Sequence, residues 1–413
     1  LSVDARAPER GGSIAGRSFT PITFALLQRY TVLKDNLDRI GRLDLTRSAL
    51  ACLLALNACI CVFWALQLQS DGLQDLGSFL HSAEAYQEGL DPYRFYAWLK
   101  PPPISPEALN LNPPISVYLF QPFVAMDTTA ARIAFLLGSL ALFGVSIAWL
   151  LLEHADKRRP LVLLTVLSLA GVWHTLGYLQ IYAPILLVIV AAWYFMRHDR
   201  LLLAGIAIGL VIAIKPNFAL WPLLLLLGGH RQTPFVALVT AATVSAIPLV
   251  AEGPAIYRQW LNLTTSFSGV EWTSNASLIA IGSRLGAPGL GALLAASMLL
   301  WLAWFLWRER PDLPRASSLA IAVVLLASPA SWAGYTLFLL PALFSRAWDR
   351  KTWACVLLLA TPFWLVGYGP AAGAVLNVLL GSTYAWAMLL LLALVARDVT
   401  AEEPERQSLA VAA

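Results

Sequence analysis

Apolar residues in this chain come in long unbroken blocks, separated by short polar stretches that are mostly basic. The blocks fall at 48–68, 130–152, 161–176, 180–196, 233–250, 287–307, 352–366 and 378–396. A helix needs about 20 apolar residues to cross a hydrocarbon core of about 30 Å, so each block predicts a membrane span. Basic clusters mark the cytoplasmic side of such spans. Here they are Lys157-Arg158-Arg159, Arg197 with Arg200, Arg308 with Arg310 and Arg315, Arg346 with Arg350 and Lys351, and Arg397.

Two further segments fit neither one span nor two. Between Arg200 and Arg231 the chain reads LLLAGIAIGLVIAIKPNFALWPLLLLLGGH. A single crossing there would place every later basic cluster on the wrong side. An even number is required, which predicts a hairpin of two short helices over 201–227 with Lys215-Pro216 at its apex. Each arm rises only about 17–23 Å at 1.5 Å per residue. The segment 316–345, with Ser328-Pro329-Ala330-Ser331-Trp332 at its middle, reads the same way. The expectation is an all-α polytopic membrane protein of about twelve transmembrane helices over 48–396, with both termini cytoplasmic.

Composition agrees. Of 413 residues 59% are apolar and 13% charged, where soluble domains carry about 25% charged. Four cysteines lie in apolar spans and suggest neither a disulfide framework nor a metal site. The net charge of +4 matters less than its placement, and no nucleic-acid partner is expected. Residues 1–47 carry eight Arg and Lys and no apolar core, so no cleavable signal peptide is expected. Leu26, Tyr30, Leu33, Leu37 and Ile40 recur there at helical spacing, which suits either a surface helix or a disordered basic arm. Residues 397–413 read as a cytoplasmic tail.

This topology turns three polar apices outward: Gly177-Tyr178-Leu179-Gln180, Lys215-Pro216 and Ser328–Trp332. Irregular backbone and a lysine at membrane depth are tolerable only when buried in protein or lining a polar cavity. Two long outer loops, 69–129 and 251–286, are placed to cover them. An outward-facing polar site with its floor sunk in the bilayer is therefore expected.

The first outer loop opens with DGLQDLGSFLHSAEAYQEGLDPY, residues 71–93. Leu76, Phe79, Leu80, Ala83 and Tyr86 share one helical face, Gly89 suits a C-cap and Asp91-Pro92 a turn. This predicts an interfacial helix with Asp75 at or just before its first turn. Asp75 is then either an N-cap or a general base at the membrane surface. Asp71, four residues earlier, is the alternative base, and the residues alone do not choose between them. The stretch Asn110–Pro122 is too short to span and is placed at the interface as well.

Asp75 with its aromatic-bearing helix and GLDPY, then NPPISVYLFQP, GYLQ, LLLAGIAIGLVIAIKPNFAL, NASLIAIGSRL (275–285) and SPASW, in that order over residues 71–345, together resemble glycosyltransferase family 87. That family belongs to the GT-C superfamily and includes polyprenyl-phosphate-mannose-dependent α-mannosyltransferases. The resemblance implies inverting sugar transfer on the outer face of the cell (inner or plasma) membrane, from a polyprenyl-phosphate sugar to a lipid or glycan hydroxyl. It puts the catalytic aspartate on Asp75 and a substrate-binding lysine on Lys215. It puts further substrate contacts on Gln180, Asn275, Ser277 and Arg284. Many members carry a histidine just after SPxSW. This chain has Ala333-Gly334-Tyr335 instead, which leaves the Tyr335 hydroxyl as the available group.

Such chemistry needs a base for the acceptor's proton and a clamp for the departing phosphate. Lys215 suits the clamp, against the alternative of a snorkelling helix-end lysine. Arg284 and Arg258 are the other candidate phosphate or headgroup ligands, and Tyr178 and Gln180 the candidate sugar contacts. Glu271-Trp272 is placed near an acceptor or in an aromatic belt. His81 and His174 lack a third ligand at metal spacing, so neither a metal nor another cofactor is expected beyond the donor substrate. The rival readings are a secondary transporter or flippase, a polymerase or ligase using polyprenyl diphosphates, and a scaffold. No internal repeat supports the first, and the few outer arginines speak against the second.

Overall fold

The structure, a computed structural model, describes residues 47–70, 72–99, 109–154, 159–266 and 275–412. It comprises two units, Leu1–Leu53 and Leu54–Ala413. In the first, residues 47–53 are helical. The apolar face expected at Leu26–Ile40 lies outside the described residues, as do Asp71, Glu271, Trp272, Lys157 and Arg158.

In the second unit the described chain is helical, with one isolated bridge between Asn275 and Trp332. Its first half runs α1 (54–70), α2 (Gln74–Gln87), α3 (Ile115–Leu119), α4 (Gln121–Val124), α5 (Thr128–Glu153), α6 (Arg159–Ser168), α7 (Ala170–Gly177), α8 (Tyr182–Arg197), α9 (Leu201–Ile214) and α10 (Leu220–Leu227). There follow α11 (Gln232–Glu252), α12 (Ala255–Ser266), α13 (Leu278–Arg284), α14 (Pro288–Glu309), α15 (Leu313–Ala327), α16 (Leu340–Phe344), α17 (Arg350–Leu359), α18 (Phe363–Gly367), α19 (Ala374–Gly381) and α20 (Thr383–Ala412).

Among the described residues, five helices are long and apolar enough to cross a bilayer: one in the run Arg47–Gln87, then α5, α11, α14 and the Thr383–Ala401 part of α20. A sixth arises if α6 and α7, bent by 51°, count as one. Five more apolar helices are shorter, among them α8, α9 and α15. The 14 residues of α9 rise about 21 Å, well short of the core thickness. Blocks that read as continuous are interrupted: 161–176 at Leu169, and 352–366 between α17 and α18 at Pro362, which has no N–H to continue the helix.

Side-chain packing reveals the path of the first predicted hairpin. A Cβ on Gly205 would stand 2.7 Å from Thr233 O, and one on Gly209 2.6 Å from Ala237 O. The contacts advance together along both chains, so α9 and α11 run parallel, in the close approach that small residues four apart permit. Thr233 Oγ1 donates to Leu201 O at 3.1 Å, so both helices start at one end of the bundle. The chain between Ile214 and Gln232 therefore returns to where α9 began.

That end also gathers other contacts. Glu153 meets Arg197 at 3.8 Å, and His154 Nδ1 lies 2.9 Å from Phe344 O. His230 Nε2 lies 3.0 Å from Pro311 O, and Arg346 pairs with Asp398 at 3.1 Å. The basic positions near 197–200, 231, 308–315, 346–351 and 397 thus lie towards one end. The core is built around α15, which is buried from Ala316 to Leu326. A helix apolar all round belongs inside a bundle.

Candidate active site

Opposite the basic end, the elements that position Asp75 are locked in place by short-range chemistry. Leu76, Phe79, Leu80 and Ala83, on the face expected from spacing, are buried, but so are Ser78, His81 and Ser82 on the other sides, so α2 is enclosed rather than one-faced. Phe79 stacks on Phe120 at 4.4 Å. The two motifs downstream act as struts. Asp91 Oδ1 accepts the Tyr93 N–H at 2.9 Å, and Tyr93 donates its hydroxyl to Asn112 O at 3.1 Å. Asn110 Nδ2 donates to Ser116 Oγ at 2.9 Å and to Ser82 Oγ, on α2, at 3.3 Å. Gly89, with φ of 69°, takes the left-handed turn that ends the helix.

Asp75 lies in the first turn of α2, and no side chain caps that helix, so the N-cap reading is set aside. Its backbone N–H donates to Tyr178 O at 3.0 Å, and Gln180 Nε2 donates to its carboxylate. The residues just before both partners, Gln74 (φ 48°) and Leu179 (φ 53°), are left-handed. Such a conformation costs about 1–2 kcal/mol in a non-glycine residue. Two strained turns holding one hydrogen-bonded pair are the kind of arrangement that gathers at functional sites. The apolar stretch of α1 ends before the break at Gly72, which leaves α2 outside that stretch. Burial pushes the Asp75 carboxyl up to about 7, while Lys215 pulls it down. A carboxyl poised near neutrality suits proton abstraction.

Lys215 ends α9 at the expected apex. Its ammonium does not reach away from the protein as a snorkelling lysine would. Nζ lies 5.1 Å from the ring centroid of Tyr182 and 5.3 Å from that of Tyr335. Asn217 Nδ2 donates to Ser328 Oγ at 3.4 Å, tying the Lys215 apex to the Ser328–Trp332 apex. The Tyr182 hydroxyl faces Gln180 and Tyr335. The three apices singled out in the sequence therefore meet, and α2 closes over them with Asp75.

Other expected contacts are placed differently. Asn275 and Ser277 are both fully buried. Ser277 Oγ accepts Ala280 N as the N-cap of α13. Asn275 Nδ2 donates to Pro329 O at 2.7 Å, and its Oδ1 accepts the N–H groups of Ser277 and Ser331. Arg284 donates to Asn275 O at 2.7 Å and to Ser382 Oγ at 3.1 Å. Asn275 thereby braces the Ser328–Trp332 turn, Ser277 caps α13, and Arg284 links Asn275 to the Ser382 hydroxyl. Arg258 is exposed on α12. Tyr178 is half-buried, with its ring 4.6 Å from His174 and 6.0 Å from Trp64. His81 accepts the Tyr96 N–H at 3.2 Å.

Two groups at the site escaped the sequence reading. Tyr182 stands two residues after Gln180 in the first turn of α8, and Asn217 two after Lys215. Each follows a residue already singled out, and that adjacency was the available signal. An apolar cavity of about 290 Å³ adjoins the site, lined by Phe120, Phe135, Ile185, Val188 and Val211. Its wall includes Ile181, next to Gln180, and Ile214, next to Lys215.

A polyprenol-phosphate-mannose-dependent α-(1-2)-phosphatidylinositol mannoside mannosyltransferase of Mycobacterium tuberculosis is 25% identical over 402 residues, covering 84% of this chain and 93% of that protein. An α-(1→3)-arabinofuranosyltransferase of Mycolicibacterium smegmatis is 27% identical over 313 residues, covering 68% of this chain and 70% of that protein. No solved structure matches the chain. The sequence model of glycosyltransferase family 87 matches residues 110–329, a stretch that holds Gln180 and Lys215 and ends within the Ser328–Trp332 apex, and the chain belongs to that family of membrane glycosyltransferases.

Proposed function

We propose that this enzyme transfers mannose from a polyprenyl-phosphate donor to a hydroxyl of a lipid or glycan acceptor, with inversion at the anomeric carbon. The observation that carries the reading is the meeting of Asp75, Gln180 and Lys215 at one junction of irregular backbone. Asp75 takes the proton of the acceptor hydroxyl as its oxygen attacks the sugar's anomeric carbon. The bond from that carbon to the phosphate oxygen breaks on the opposite face, and its electron pair leaves with polyprenyl phosphate. Attack from behind inverts the configuration. Lys215 meets the charge that develops on the departing phosphate, so the step is assigned to an ammonium rather than to a divalent metal. The donor's isoprenoid chain, bonded directly to that phosphate, occupies the apolar cavity bordered by Ile214.

The same reading orients the molecule. The basic end faces the cytoplasm of the cell, with residues 1–47 and 397–413 on that side, and the Asp75 site opens to the outer face of the inner (plasma) membrane. The helices thereby form about twelve membrane-embedded segments, with α2 lying at the outer interface. Asp75 is preferred to Asp71 because its carboxylate is held by Gln180.

The test is incubation of purified protein with radiolabelled polyprenyl-phosphate mannose and a membrane lipid extract, with the product and its anomeric configuration identified. Asp75→Asn is expected to abolish transfer without loss of membrane insertion, and Lys215→Met to weaken donor binding. Near-normal turnover by Asp75→Asn, a product of retained configuration, or unchanged donor affinity in Lys215→Met overturns the corresponding part.

A further inference from the structure

Lys215 is half-buried, and a lysine withdrawn from water in a membrane protein ordinarily finds a carboxylate. Among the described residues Lys215 has none within salt-bridge distance, although Asp75 is near enough to feel its charge. What flanks Nζ instead is a pair of aromatic faces, at 5.1 and 5.3 Å. The two rings are mutually perpendicular, with centroids 4.7 Å apart at 77°. Tyr182 is 1% exposed and Tyr335 5%.

The rings are held from behind. Phe338 lies 5.8 Å from Tyr182 and stacks on Tyr335 at 5.6 Å, and Phe218 backs Phe338 at 5.7 Å. Gly334 seats Tyr182 closely, since a Cβ there would stand 2.6 Å from the ring. Neither ring has room to swing away from the lysine.

We propose that Tyr182 and Tyr335 form a two-walled aromatic cage that positions the Lys215 ammonium for the donor's phosphate in place of a counter-ion. The proposal rests on the donor reading above. A carboxylate partner would cancel the charge that the phosphate needs, and a pairing with Asp75 would tie base and clamp together. An aromatic face attracts a cation through its quadrupole while leaving the net charge intact. The charge stays available, and the side chain stays directed. Both tyrosines are thus positioning residues that act through Lys215, and the ring rather than the hydroxyl is what the cage requires.

The test measures binding of sugar-free polyprenyl phosphate to the purified full-length protein. Tyr335→Phe and Tyr182→Phe keep the ring and should bind within about threefold of the parent, whereas the Leu variants should lose about tenfold or more. Combining Lys215→Met with Tyr335→Leu should cost no more than Lys215→Met alone, because the cage acts only through the ammonium. Replacement of Tyr335 by phenylalanines of increasing fluorination weakens the ring's quadrupole at nearly constant shape. Affinity should fall stepwise with fluorine number, and this series stands even if a Leu variant does not fold. A flat response to fluorination, or additive losses in the double variant, overturns the cage. Unchanged binding by Lys215→Met would instead overturn the donor reading beneath it.

Discussion

Gln180→Leu isolates what the hydrogen bond to Asp75 does. In the parent protein Gln180 Nε2 donates to the Asp75 carboxylate, whose value stands at about 7. A hydrogen bond to an ionised group contributes about 1.5–3 kcal/mol. At about 1.36 kcal/mol for each pH unit, its loss should move the midpoint of the pH–rate profile up by about one to two pH units. Near pH 7 about half of the parent's Asp75 is ionised, against about one molecule in ten to one in a hundred of the variant. The rate at pH 7 should therefore fall about fivefold to fiftyfold, because only the ionised form abstracts a proton. Near pH 9.5 the two proteins should converge to within about threefold. The assay is kcat/KM for polyprenyl-phosphate mannose between pH 5.5 and 9.5 in detergent or nanodiscs. A loss of rate equal at every pH would refute this reasoning and assign Gln180 to substrate binding. An unchanged profile would remove Asp75 as the base.

Gly209→Val should separate α9 from α11, since a Cβ there meets Thr240 Cβ at 2.5 Å and Ala237 O at 2.6 Å. Overpacking costs about 1–3 kcal/mol, and a displacement of about 1 Å in Lys215 should cut kcat/KM about a hundredfold. Melting temperature and turnover measured together check this, and a variant indistinguishable in both would refute the packing argument. Single cysteines at Arg310 and Lys351, in a background with the four native cysteines replaced, should react with a membrane-impermeant maleimide only from the cytoplasmic side. Gln87→Cys should react only from outside. Labelling of the first two only from outside and of Gln87→Cys only from the cytoplasm would reverse the proposed orientation, and labelling of all three from one face would refute the topology.

Much of this molecule was legible in the order of its residues. The helical membrane class, the first hairpin and the clustering of polar apices follow from hydropathy and charge, which are local properties whose consequences add along the chain. The return of the chain between Ile214 and Gln232 was a matter of charge parity before the α9–α11 contact displayed it. The helix at α2 and the Gly89 turn were readable for the same reason, because spacing and caps act within a few residues.

Roles that depend on residues far apart in sequence were not legible. Asn275, Ser277 and Arg284 read as ligands because polar groups in an outer loop look alike whether they face a substrate or a backbone. The bonds of Asn275 and Arg284 to Pro329, Ser331 and Ser382 span about 50 to 100 positions, whereas Ser277 caps its own helix. The break at Leu169 was invisible for a related reason: helices in contact with protein need not be continuous to be apolar. Tyr182 shows the limit most plainly. Its sequence neighbours mark it as one more aromatic residue in an apolar helix, and only the folding of three distant turns onto one another sets its ring against a lysine.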